Sequence, residues 1–168
     1  MVKFYINGTE TPVVVDDWIP CHPNGRPAFA SSREDELWVS ILEKAWAKVH
    51  GTYARMEGGL PCFAASHLVG VPSESIRHDQ IEDPEDFFNM LKLADIRDFT
   101  MMAASHGQGE VTSDEGVVSG HAYSLISIHE FKHRGQDVRL LKLRNPWGTG
   151  EWKGAWSDDA PEWTDKLR

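Results

Sequence analysis

The sequence predicts an α+β fold in which antiparallel strands form one or more twisted sheets beside one long helix and one or two shorter helices. Two glycine-containing turns, each flanked by β-type segments, predict hairpins, and a separate stretch carries apolar residues at helical spacing. Hydrophobic residues make up 40% of the 168 residues and charged residues 26%, which is typical of a globular chain. We interpret residues 1–168 as a single lobe.

The first half contains the predicted long helix. Asn7-Gly8 lies between the β-type segments 4–6 and 12–15 and predicts an opening hairpin. The sequence SSRE at residues 31–34 matches a capping box, which indicates a helix start. Apolar residues then share one helical face up to Gly51, at positions 37, 38, 41, 42, 45, 46 and 49.

The middle and last thirds contain the shorter helices and most strands. Residues 58–80 predict a loop with a short helix at 64–69, and Asp83-Pro84 predicts a second helix. Its inner face would consist of Phe87, Phe88, Leu91 and Ala94. Residues 99–104 predict a buried strand and residues 105–120 a mobile loop. Strands at 121–131 and 138–144 would join across Arg134-Gly135-Gln136.

Charge and cysteine content exclude several classes of protein. The formal net charge of −9 disfavours binding to nucleic acid. No apolar run approaches the roughly 18 residues that would cross a bilayer, so no membrane span is expected. No secretory signal precedes the two cysteines, which we therefore expect to be free thiols in a cytoplasmic protein.

The sequence HEFKH at residues 129–133 matches the H-E-x-x-H zinc protease pattern. That chemistry needs both histidines on one face of a helix. In the strand predicted here, His129 and His133 would lie roughly 13 Å apart, too far to share an ion. We expect no zinc and interpret both residues as exposed positions near a hairpin end.

A second candidate site combines GHAYS at residues 120–124 with RNPWG at residues 144–148. His121 opens one predicted strand and Asn145 follows the next, so an antiparallel pairing can bring their side chains together. In a Cys-His-Asn site, the histidine takes the thiol proton and the asparagine orients the ring. Trp147 would shield their hydrogen bond from water. The alternative is a histidine with a purely structural hydrogen bond.

These two sequence blocks resemble the downstream catalytic blocks of the calpain family, which has a papain-like active site. Three further blocks resemble the family in the same order, namely VVVDDWIP at 13–20, ELWVSILEKA at 36–45 and WKGAWSD at 152–158. The resemblance covers nearly the whole chain. It implies the C-terminal lobe of a calcium-dependent, intracellular cysteine endopeptidase that acts on protein substrates.

In this family the upstream lobe supplies the cysteine, and the downstream lobe supplies the histidine and asparagine, here His121 and Asn145. Neither Cys21 nor Cys62 has the surroundings of a papain-like nucleophile, so we expect none in this chain. The isolated chain should be inactive, and its expected partner is the cysteine-bearing lobe of the same parent. The rival hypothesis is a non-catalytic protein-binding or regulatory module, which the residue at the upstream nucleophile position would distinguish.

The resemblance also implies calcium binding. Two acidic ligands of the family map onto Glu151 and Asp158, and carboxylate oxygens suit this ion. Further family ligands would come from beyond Arg168, so we expect a weak or incomplete site. Residues 105–120 take the place of a family loop that gates the substrate cleft. Their acidic residues would form either a second cation site or, as we favour, a solvated surface.

Overall fold

The computed structural model describes residues 1–32, 36–165 and 167, and within them it has three α-helices and two antiparallel sheets. This confirms the predicted α+β class. The chain divides into two compact units, Met1–Ser75 and Ile76–Arg168; the assignment of the whole chain to one lobe stays a prediction. Across the described ranges, no helix is long and apolar enough to traverse a membrane.

The first unit opens with the predicted hairpin. Strands β1 (Val2–Ile6) and β2 (Thr9–Val13) pair antiparallel, with Ile6 opposite Thr9 beside the turn. The turn residues Asn7 and Gly8 have φ angles of 51° and 75°. Positive φ at both central positions is the requirement of a type I′ turn, which explains why Asn-Gly specifies this connection.

Helix α1 (Trp38–His50) packs on this hairpin through the centre of its predicted apolar stripe. Phe4 and Ala45 are fully buried, and the Phe4 and Trp46 rings meet edge to face at 5.4 Å. The helix starts without a side-chain cap, and Trp38 at its first turn is exposed. The predicted capping box includes residues 33 and 34, which lie outside the described residues.

A second helix, α2 (Pro61–Val69), begins three residues before the predicted start, with Pro61 in its first turn. Gly70 ends it in the left-handed conformation, with φ of 73°. A Cβ at this position would lie 2.6–2.8 Å from ring carbons of Tyr5 on β1. Glycine is therefore required both by the backbone angle and by the close approach of α2 to the hairpin. A short 3₁₀ turn at Tyr53–Met56 precedes α2.

In the second unit, a 3₁₀ turn (His78–Gln80) precedes helix α3 (Pro84–Ile96). Asp83 caps this helix as predicted, since its carboxylate accepts a hydrogen bond from the Glu85 amide at 2.7 Å. The four residues of the predicted inner face are all half-buried, namely Phe87, Phe88, Leu91 and Ala94.

The three-stranded sheet of this unit positions the candidate site. Its order is β3 (Met101–Ala104), β4 (Ala122–His133) and β5 (Gln136–Arg144), all antiparallel. Arg134 and Gly135, with φ of 50° and 81°, form the turn between β4 and β5. The prediction of a buried strand at 99–104 is wrong in its start and burial. β3 begins at Met101 and alternates half-buried and exposed residues, because it is an edge strand covered on one face.

Helix α3 is held near the sheet by one charged network. Arg139 on β5 donates to both carboxylate oxygens of Glu85, at 2.6 and 2.7 Å, and to Glu130 on β4 at 2.9 Å. Its guanidinium also lies 4.6 Å from the centre of the Phe88 ring, and Lys92 pairs with Glu130. The hydrogen bonds from Arg139 lower the pKa of Glu85, and those from Lys92 and Arg139 lower the pKa of Glu130.

The segment 105–120 has a defined hydrogen-bonded shape. The Ser113 amide donates to the Val117 carbonyl at 2.7 Å, and the Ser119 amide donates to the Val111 carbonyl at 2.9 Å. These bonds fold the segment back on itself and bury Val118, which is 1% exposed. Its mobility stays a prediction.

Two tryptophans of the C-terminal region, Trp156 and Trp163, belong to one compact aromatic group. The Trp156 ring contacts Phe131, His133 and Trp163 edge to face, with centroids 5.0–5.2 Å apart.

Candidate functional site

The backbone of His121 is fixed on both sides by Ser105. His121 immediately precedes β4, and Ser105 follows β3 on the neighbouring strand. The His121 amide donates to the Ser105 hydroxyl at 3.1 Å, and the Ser105 amide donates to the His121 carbonyl at 2.9 Å. The hydroxyl also donates to the Val118 carbonyl at 2.5 Å. His121 is 7% exposed, and the fixed backbone and this burial together hold its side chain in a defined direction.

Two aromatic rings enclose the imidazole. The Trp147 ring lies 4.6 Å from the His121 ring, tilted by 50°, and the Tyr123 ring meets it edge to face at 5.0 Å. Tyr123 is two residues further along the chain, and its hydroxyl accepts a hydrogen bond from the Val118 amide at 2.8 Å. Apolar surfaces on two sides restrict the access of water to the ring.

Asn145 follows directly on the end of β5, and its side chain reaches His121. The Nε2 atom of His121 lies 2.9 Å from the Oδ1 atom of Asn145. That oxygen also accepts the Trp147 amide at 3.1 Å, while Nδ2 donates to the Thr149 carbonyl at 3.0 Å. The oxygen has a backbone N–H as its partner and the nitrogen has a backbone carbonyl, so the amide cannot be flipped and Oδ1 is the atom that faces the ring. Asn145 therefore accepts the Nε2 proton of His121.

The other ring nitrogen of His121 points away from Asn145. Nδ1 lies 2.7 Å from Oε1 of Glu110 in the loop 105–120. The His121 side chain is 6% exposed and that of Glu110 is 49% exposed. With Glu110 ionised, both ring nitrogens face oxygens that only accept, so both must donate. The geometry thus offers one acceptor to each ring nitrogen of His121.

The candidate calcium ligands Glu151 and Asp158 do not form a complete site by themselves. Among residues 1–32, 36–165 and 167, no group of three or more histidine, cysteine, aspartate or glutamate side chains could hold a metal ion. Calcium in proteins needs about six to eight oxygen ligands. Glu151 and Asp158 therefore stay candidate ligands, and calcium binding stays a prediction.

The zinc protease pattern lies on a strand. His129 and His133 are both in β4, opposite Leu140 and Gln136 of β5. The glutamate between them, Glu130, is occupied by Arg139 and Lys92. The helical geometry that this pattern needs is therefore lacking.

The two cysteines lie in the first unit. Cys21 is exposed and its thiol donates to the Ile19 carbonyl at 3.3 Å. Cys62 is half-buried in the first turn of α2, a helix start that the sequence patterns placed later. That neither thiol is the nucleophile stays a prediction.

A histidine packed against a tryptophan, with an asparagine fixed on one ring nitrogen, is an arrangement that Cys-His-Asn hydrolases can use. The comparisons with known proteins agree with this class. The family model for calpain family cysteine proteases matches residues 1–168. The chain belongs to the calpain family of cysteine proteases.

Relatives from plants and animals share this segment. The chain is 42% identical over 175 residues to the calpain-type cysteine protease DEK1 of Arabidopsis thaliana. That alignment covers 99% of the chain and 8% of DEK1. It is 36% identical over 167 residues to calpain-8 of Rattus norvegicus, covering 96% of the chain and 23% of that protein. It is 34% identical over 166 residues to calpain-9 of Homo sapiens, and that alignment covers 96% of the chain and 24% of calpain-9. The chain thus spans between 8% and 24% of these relatives.

Sequence patterns did not indicate several residues of the site. Ser105, Glu110 and Thr149 contact the His-Asn pair from irregular segments, where no period in the sequence reports which side chains face inward. The sequence pattern could have indicated Tyr123, because alternate residues of a strand share a face and Tyr123 is two residues after His121.

Proposed function

We propose that this chain supplies the general base and its orienting residue to a calpain-type cysteine endopeptidase, whose nucleophile lies in an upstream lobe of the same parent. The observation that carries the proposal is the 2.9 Å contact between His121 Nε2 and Asn145 Oδ1, with the amide fixed by two further bonds. This contact leaves Nδ1 as the nitrogen available to a thiol. The chain's place within far longer relatives supports a partner lobe.

The proposed reaction uses His121 twice. Nδ1 removes the proton of the upstream thiol, and the thiolate attacks the carbonyl carbon of the scissile peptide bond. The imidazolium then gives that proton to the leaving amine as the C–N bond breaks, which leaves a thioester. His121 next removes a proton from water, whose oxygen attacks the thioester, and the proton returns to the departing sulfur.

Asn145 and Trp147 would support these steps without moving protons. The Asn145 carbonyl keeps the Nε2 proton in place, so the ring presents Nδ1 to the thiol. Trp147 covers the hydrogen bond between the two residues, which strengthens it by excluding water. Without an activated thiol no acyl-enzyme forms, so the 168-residue chain by itself is expected to be inactive.

Calcium dependence and location belong to the same proposal. Glu151 and Asp158 would contribute part of a calcium site whose remaining ligands lie outside this chain, so binding by the chain alone should be weak. A cytoplasmic location fits the two free thiols, Cys21 and Cys62. The substrates would be proteins, and nucleic acid is disfavoured by the net charge of −9.

The test uses the full-length parent protein and casein as substrate, with calcium or with chelator. Cleavage should require calcium and should be lost in His121→Ala. The matched control is His129→Ala. His129 lies in β4, the strand that His121 precedes, and its side chain bonds only to Ser127 among the contacts of the described residues. Cleavage that persists in His121→Ala would refute the proposal. A folded parent without activity under any condition would favour the non-catalytic binding module instead.

A further inference from the structure

We propose that Glu110 is an autoinhibitory residue, whose carboxylate occupies the position on His121 that the thiolate of the nucleophile must take. The inference rests on the proposed function, because it concerns the nitrogen that would receive the thiol proton. It adds a step to that function, namely that Glu110 must leave the imidazole before the base can serve the cysteine.

The first argument is geometric. A catalytic imidazole has two nitrogens, and the orienting residue takes one of them, so the nucleophile must use the other. Asn145 occupies Nε2, at 2.9 Å from its oxygen. Glu110 Oε1 lies 2.7 Å from Nδ1, within the range of a charge-assisted hydrogen bond. A second acceptor cannot take the same N–H at full strength while Glu110 holds it.

The second argument is the charge state. With Asn145 and an ionised Glu110 as acceptors, His121 carries protons on both nitrogens. The same doubly protonated ring is one half of a thiolate–imidazolium pair. Glu110 therefore provides the negative charge that the thiolate would otherwise supply, and it stabilises the ring in the form that cannot accept a further proton.

The third argument is the way the loop holds Glu110. The hydroxyl of Ser119 donates to the Gly109 carbonyl at 3.1 Å and accepts the Val111 amide at 3.3 Å. These two residues flank Glu110, so Ser119 fixes its backbone on both sides. The Ser119 amide adds a bond to the Val111 carbonyl at 2.9 Å. Because Ser119 is two residues before His121, the carboxylate and the imidazole are positioned by the same short segment.

The exposure of the two partners makes the contact reversible. His121 is buried, whereas about half of the Glu110 side chain is exposed, at 49%. A half-exposed ion pair is weak enough to be displaced by a competing thiolate. The carboxylate can then turn into water without being left in an apolar environment.

The test measures how fast iodoacetamide alkylates the nucleophilic thiol of the full-length parent. Glu110→Gln keeps the shape of the side chain and removes its charge, and we expect alkylation about two- to fivefold faster, the effect of losing a half-exposed ion pair. The matched control is Asp114→Asn. Asp114 is an acid of the same loop whose side chain has no hydrogen bond or ion pair among the described residues. It should not change the rate.

An unchanged or slower rate in Glu110→Gln would overturn the inference. If alkylation depends on His121 but not on Glu110, the proposed function stands and only the autoinhibitory role fails. If alkylation does not depend on His121, both fail.

A second measurement does not require activity. Hydrogen–deuterium exchange of residues 106–112, followed by mass spectrometry, should become faster in Glu110→Gln and in His121→Ala, since either change removes the anchor of this segment. Equal exchange in the wild-type protein and both variants would mean that the contact does not hold the loop, which also overturns the inference.

Discussion

Replacing Asn145 by alanine removes the group that orients the imidazole. The variant loses three hydrogen bonds at once, from His121 Nε2, from the Trp147 amide and to the Thr149 carbonyl. The most consequential loss is the first, because the Nε2 proton belongs to a residue that is only 7% exposed, where solvent does not readily replace a lost acceptor.

The expected magnitude follows from that hydrogen bond. A hydrogen bond to a charged group contributes about 1.5–3 kcal/mol. The Nε2 bond orients the imidazole so that Nδ1 faces the thiol, and we expect up to its full contribution to be lost from the barrier when the ring is no longer positioned. It corresponds to a decrease of roughly 10- to 150-fold in kcat/KM.

The assay is peptide hydrolysis by the parent protein at saturating calcium, with Asn145→Ala compared with Asn89→Ala. Asn89 is an exposed residue of α3 without a side-chain hydrogen bond among the described residues, and its replacement should leave kcat/KM unchanged. A decrease below about threefold in Asn145→Ala would refute the orienting role, since even a weak charged hydrogen bond contributes more than this.

Three further changes test the fold around the site. Ser105→Ala removes the hydroxyl that accepts the His121 amide, and urea unfolding should show a loss of about 1–3 kcal/mol; a loss within experimental error would contradict the role of that bond. Arg139→Ala should make unfolding less sensitive to acid. The pKa values of its two glutamate partners are lowered in the folded state, so their stabilisation is present above the ordinary glutamate pKa and disappears as the pH falls below it. The measurement is the urea midpoint of unfolding between about pH 6 and 3. An equal loss of stability in the wild-type protein and in Arg139→Ala would refute this expectation. Gly70→Ala should destabilise the first unit by about 1–3 kcal/mol, from the left-handed backbone and the collision with Tyr5; an unchanged urea midpoint would show that the ring moves freely aside.

Local sequence signals predicted the elements whose structure depends on local chemistry. Asn7-Gly8 specifies its turn because both residues tolerate positive φ, and Asp83 caps α3 through its own carboxylate. Burial was less predictable. Residues 99–104 are apolar enough for a buried strand, yet β3 lies at the edge of its sheet, and its position there depends on pairing with β4, far along the chain.

The candidate site divides in the same way. The contact between His121 and Asn145 could be anticipated, because antiparallel pairing brings the start of β4 beside the end of β5. The contact of Glu110 with the same ring could not, since it depends on the path of an irregular loop with several glycines. The sequence suggested a solvated acidic surface or a second cation site there, whereas one of its acidic residues, Glu110, contacts the candidate base.

The most direct test of the central claim is the pH dependence of thiol alkylation in the parent protein. An unassisted cysteine reacts mainly above its ordinary pKa of about 8.5, because only the thiolate attacks the reagent. If His121 is the base, alkylation of the nucleophile should remain fast at about pH 6 in the wild-type protein, and it should require a pH above about 8 in His121→Ala. Identical pH profiles for the two proteins would contradict the account.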